Sequence, residues 1–257
     1  MSVSTFDIFK VGIDPSGWST AGTMTAARDL TWQNVDEYPI PYPFRTSEEL
    51  FRLCEESGRT LADLMLENEK CWRSTYDIRV RLLAIARGMD ASVAEGAATA
   101  QTRDAADVTP VVLRYYRDSV PGASEQGVLD FLLTAAAIGI LYSDGARISG
   151  AGVGYQDDVG AACSMAAAGL AAVLGGSNEQ IGDAVEIAST HNLVMSRDPM
   201  EGLVQIPGIG TNARGAIAAI SAARMALSGR GHRDVYRMAW TAAEASAQPE
   251  RIGYGTY

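Results

Sequence analysis

The sequence predicts a mainly α protein, a helical bundle built after residue 45, and three observations carry that prediction. Helix start and stop signals recur at helical spacing from Thr46 onward. Three segments, 128–141, 161–174 and 213–227, are apolar almost all round, which puts them at the centre of a bundle, where no face meets water. No stretch beyond residue 45 alternates apolar and polar residues as a half-buried strand does.

Taken in order, residues 1–45 form an N-terminal segment and linker, and 46–257 form the helical domain. Val3 to Ile13 can hold one strand, and Tyr38 to Pro43 reads as extended, because proline disfavours helix before and within it. Thr46 to Glu49 is a capping box, a hydroxyl answered three residues later by a carboxylate, and Gly58 closes that helix. Thr60 to Asp63 opens the next, with Leu61, Leu64, Met65 and Asn68 on one face. A longer helix is expected from Arg73 to Arg87, stopped at Gly88, with 89–107 as a loop or short helix. Further helices are expected near 110–118, 124–142, 158–174, 179–195, 212–228 and 233–246, and Ser177 to Gln180 is a second capping box.

Composition bounds the function. Of 257 residues, 47% are apolar, enough for a substantial core, and 31 acidic against 21 basic residues give a net charge of −10. So acidic a surface repels phosphate backbones and anionic lipid, which argues against nucleic-acid and membrane partners and for a small-molecule substrate. The apolar run Phe131 to Tyr142 falls short of the ~20 residues that cross a bilayer, and Met1 to Phe6 lacks the start of a signal peptide. Cys54, Cys71 and Cys163 are far apart, with no C-x-x-C pair, as expected in a reducing cytoplasm and against a cysteine-held zinc.

Three collinear stretches carry a family resemblance. They are Phe6 to Ser16 (FDIFKVGIDPS), Pro41 to Arg45 running through Leu64 to Glu69, and Phe131 to Leu227. The last contains Ile148 to Ala151, Ala162 to Leu170, His191 to Leu193, Asp198 and Pro199, Gly202 to Pro207 and Ala222 to Leu227. Together they resemble the bacterial iron–sulfur L-serine dehydratases. The resemblance implies a helical catalytic domain, a homodimer, and a cluster whose open iron acts as a Lewis acid on the hydroxyl of serine.

The departures fall on the cluster. Where the family reads Gly-Cys-Gln, this chain has Gly154, Tyr155 and Gln156; its Cys-Asp-Pro is here Arg197, Asp198 and Pro199; its Val-Pro-Cys is Ile206, Pro207 and Gly208. The resemblance implies that those three cysteines are the cluster ligands, and thiolates are what hold such a cluster. Cys163 matches a family cysteine that is not a ligand. The family's Ser-Ser-Ser-His-Thr appears as Ser16 to Thr20, with Trp18 intruding and Ser19 in place of the histidine. Its Thr-Ala-Pro-Thr-Asn-Gly is reduced to Thr99 to Asp104, and the resemblance implies that residues 1–45 are a remnant of an amino-terminal α/β domain, most of which is expected to be missing.

The candidate catalytic residues are therefore Tyr155, His191, Arg197 and Asp198. The Tyr155 phenol can protonate an oxygen or simply plug a vacated hole; Arg197 can grip a carboxylate with its planar fork or pair with Asp198. His191 can act as a base near neutral pH or serve as a hydrogen-bonded structural residue. Ser149, Gln156 and Asn212 match polar family positions and are expected to line the pocket, with Trp18 and Ser19 reshaping specificity. Asp157 and Asp158 are expected to favour the first turn of a helix. With no cofactor or metal assigned, the expected function is a lyase, dehydratase or cyclase of a specialised natural-product pathway, working by acid–base catalysis and not on serine. The alternative is a non-catalytic serine dehydratase paralogue that binds a small molecule or a partner protein.

Overall fold

A computed structural model describes residues 3–9, 40–98, 108–149, 155–195 and 208–229, and every regular element among them is an α-helix. In chain order these are α1 (Thr5–Ile8), α2 (Ser47–Ser57), α3 (Leu61–Glu69), α4 (Thr75–Ala98), α5 (Val108–Ser119), α6 (Glu125–Ser149), α7 (Tyr155–Val173), α8 (Asn178–Met195) and α9 (Gly208–Leu227). The mainly α prediction holds. The expected helix at 233–246 lies outside the described residues.

The caps form where the residues place them. Thr46 Oγ1 accepts the Glu49 backbone N–H at 3.2 Å, and Gly58 closes α2 at φ 65°, a conformation that glycine adopts without strain. Thr60 caps α3 in the same way, accepting from Asp63 N–H. At α8 the box is reciprocal: Ser177 Oγ accepts from Gln180 N–H at 3.2 Å, and Gln180 Oε1 accepts from Ser177 N–H at 3.0 Å.

Two local expectations are corrected. The stretch read as a strand makes a single helical turn at Thr5–Ile8, because Ile8 and Phe9 drop into the core and the turn is anchored from below by Glu69. Gly88 does not stop α4, which runs on to Ala98. An interior glycine costs a helix only about 1 kcal/mol, and burial of Leu82, Ala86 and Met89 on either side of it outweighs that.

The core is made by α6 and α7. Every residue from Phe131 to Ile140 is buried, as is every residue from Cys163 to Ala171. Small side chains let the axes close up: a Cβ on Gly169 would sit 2.9 Å from the Phe131 carbonyl oxygen. By length and composition Glu125–Tyr142 could cross a membrane, yet 67% of that window is buried among the other helices, as a core helix is. The third apolar helix, α9, is less central than expected. It buries Ala216, Ala219, Ala222, Ala223 and Ala226 along one face and leaves Arg214, Ile217 and Arg224 exposed.

The helix directions matter for the site. Side-chain contacts pair Phe131 with Gly169, Met165 with Gly139, and Tyr142 with Ser164, so α6 and α7 are antiparallel. Cys163 meets Gly215 and Leu227 meets Gly176, which makes α9 parallel to α7. Gln180 at the start of α8 reaches Leu227 at the end of α9, so α8 runs against both.

Candidate functional site at one end of the bundle

Alternating directions gather four helix termini at one end: the close of α6, the start of α7, the close of α8 and the start of α9. Most sequence candidates fall there. Ser149 is the last residue of α6, Tyr155 and Gln156 open α7, His191 lies in the final turns of α8, and Asn212 lies in the second turn of α9. Asp157 and Asp158 occupy the first turn of α7, where a carboxylate favours the helix dipole. Arg197 and Asp198 lie outside the described residues, in the segment joining α8 to α9, and Trp18 and Ser19 also lie outside them. The fold thus collects residues that are scattered in sequence onto one end, as a site built from helix termini requires.

A hydrogen-bonded layer below that end fixes the four helices. Tyr142 Oη donates to Ser164 Oγ at 3.0 Å, and Ser164 Oγ donates to the Val185 carbonyl at 3.3 Å, tying α6, α7 and α8. Cys163 Sγ donates to the Gly215 carbonyl at 3.4 Å, tying α7 to α9. From this layer the helices run about 10–15 Å further to their ends, at about 1.5 Å per residue. Sequence reasoning singled out Cys163 only as a non-ligand and missed Tyr142 and Ser164. Their signal was weak: a lone serine and a lone tyrosine within apolar runs.

It also missed the most heavily buried charge among the described residues. Glu69 is fully buried at the end of α3; its carboxylate accepts from Ser4 Oγ at 2.9 and 3.0 Å, from the Thr5 backbone N–H, and from Arg73 at 3.0 Å. Burial pushes its pKa above the ordinary glutamate value, against the lowering effect of those hydrogen bonds and of Arg73. Beside it, Asn68 makes a two-point clamp on the linker: its Nδ2 donates to the Tyr42 carbonyl, and its Oδ1 accepts from Tyr42 N–H, both at 2.9 Å. Both contacts hold segments that precede the bundle, far in sequence from the helix-end residues.

The cysteines do not fit a cluster. All three in the chain are described: Cys54 is buried in α2, Cys71 is half-buried after α3, and Cys163 is buried in α7. They lie on three separate elements, and no group of three or more His, Cys, Asp or Glu residues is placed to hold a metal ion among the described residues. Burial pushes the Cys54 thiol up to about 11, so it stays protonated. A thiol reagent added to the native protein should therefore titrate Cys71 first, with Cys54 and Cys163 reacting only on unfolding. Prompt reaction of all three in the native state would contradict this placement.

The comparisons with known proteins bear directly on the helical region. The family described as serine dehydratase alpha chain matches residues 55–245. The chain belongs to that family. An L-serine dehydratase of Streptomyces coelicolor is 42% identical over an alignment covering 78% of this chain and 56% of the relative. One from Mycobacterium bovis is 48% identical, covering 80% and 58%, and L-serine dehydratase 1 of Escherichia coli is 34% identical, covering 75% and 55%. The chain therefore spans little more than half the length of the curated relatives it matches.

These relatives correct the functional expectation drawn from the sequence. A natural-product cyclase or lyase, and the statement that the chain is not a serine dehydratase, both rested on a few substituted positions. The relatives that share the serine dehydratase bundle at up to 48% identity are named L-serine dehydratases, and the non-catalytic alternative is no better supported.

Proposed function

We propose that this chain acts on L-serine or a close β-hydroxy amino acid, by the elimination that its relatives are named for. The supporting observation is 42–48% identity to L-serine dehydratases across a bundle whose polar candidates fall at one end. Elimination of water needs a base for the proton on Cα, an acid for the departing hydroxyl, and an anchor for the carboxylate. In this reading His191 takes the proton, since a neutral imidazole is available near pH 7, and the Tyr155 phenol supplies one to the leaving oxygen. Arg197 grips the substrate carboxylate bidentately, and Asp198 pairs with the ammonium. Ser149, Gln156 and Asn212 hydrogen-bond the bound amino acid, and Trp18 and Ser19 set which side chain is accepted. The chain is further proposed to be a cytoplasmic bacterial homodimer, with Tyr76 and Val80, exposed together on α4, as the apolar surface that a second copy covers.

Stereoselective stabilisation tests the binding half of this proposal. A ligand that binds only the folded state raises stability by RT ln(1 + [L]/Kd). L-serine at millimolar concentration should raise the melting temperature in a dose-dependent way, and D-serine should not. Equal responses to the two enantiomers, or none to either, would contradict the proposal.

A further inference from the structure

We infer that this chain does not hold a thiolate-ligated iron–sulfur cluster, and that the three positions that would hold one are Tyr155, Arg197 and Gly208. Two observations converge. Tyr155 and Gly208 are the opening residues of α7 and α9, parallel helices that begin at the same end of the bundle, and Arg197 follows shortly after α8 closes at that end. Two positions far apart in sequence, Tyr155 and Gly208, are thus drawn to one end of the bundle, as ligands of one cluster must be, and neither they nor Arg197 carries a thiol. The chain's own cysteines are committed elsewhere. Cys163 donates to Gly215 from within the core, Cys54 is buried on α2, and Cys71 stands in the turn after α3. Oxygen and guanidinium groups do not replace thiolates as a ligand set. The inference rests on the proposed function only for the location of the site; it stands or falls without turnover.

The test is anaerobic reconstitution of the purified chain with ferrous iron and sulfide, beside a bacterial L-serine dehydratase treated identically. Iron and acid-labile sulfide per chain, and visible absorption, are read after desalting. The expected result is a colourless chain with far less than one iron, beside a coloured relative. Stoichiometric iron and sulfide in the unaltered chain would overturn the inference, whatever its activity towards serine. The variant Tyr155→Cys/Arg197→Cys/Gly208→Cys should gain iron, sulfide and broad visible absorption, and a variant that folds by circular dichroism yet stays colourless would overturn the assignment of the three positions. A failure of the proposed function looks different: no L-serine response from a chain that is equally colourless.

Discussion

Phe131→Ala should lower the unfolding free energy by about 4 kcal/mol, near the middle of the range for emptying a fully buried aromatic site. Phe131 has no exposed surface and lies where α6 crosses α7, with its ring 3.0–3.1 Å from the point a Cβ on Gly169 would occupy. The helices cannot close over the void, because backbone already meets backbone there: the Phe131 carbonyl lies 2.9 Å from that same point. At about 2–4 °C per kcal/mol for a chain of this size, the melting temperature should fall on the order of 10 °C. A fall of only a degree or two would mean that α6 and α7 do not make the core described. Gly169→Ala should also destabilise the protein, since the added methyl meets a carbonyl oxygen that cannot swing aside, against the ordinary gain in helix propensity.

Glu69→Ala should cost about 3 kcal/mol, the low end for removing one partner of a buried pair, because Arg73 is partly exposed and can rehydrate. The loss removes the carboxylate to which Ser4 Oγ and the Thr5 N–H donate, and with it the tie between the N-terminal turn and α3. Glu69→Gln separates the charge from the hydrogen bonds. The folded pKa of Glu69 is raised, so its contribution to stability is complete below the ordinary glutamate range and is lost as pH rises through the folded value. Glutamine has no such titration. The melting temperature of Glu69→Gln relative to the unaltered chain should therefore climb as pH is raised from about 4 towards neutrality. A constant difference across that window would show that burial does not shift this carboxyl.

What could be read from the sequence follows the range of the interactions. The caps at Thr46, Thr60 and Ser177 were legible because a hydroxyl and a backbone N–H three residues apart need nothing else. The apolar runs of α6 and α7 were legible because burial on all sides leaves no polar stripe to interpret. Gly88 misled because its penalty is local and small, whereas the burial of Ala86 and Met89 that overrides it comes from helices distant in sequence. Glu69 was illegible for the same reason: its partners Ser4 and Thr5 lie more than sixty residues away. The helix-end site is an intermediate case. No spacing rule links Ser149, Tyr155, His191 and Asn212; family resemblance named them, and the alternating directions of α6 to α9 are what put these positions at one end of the bundle.

Action on L-serine, as proposed, is read most directly from product formation. The purified chain should convert L-serine to pyruvate and ammonia in equal amounts, as loss of water followed by hydrolysis of the enamine requires, and should leave D-serine untouched. A folded chain that yields no pyruvate from L-serine, while a bacterial L-serine dehydratase assayed beside it does, would contradict the account.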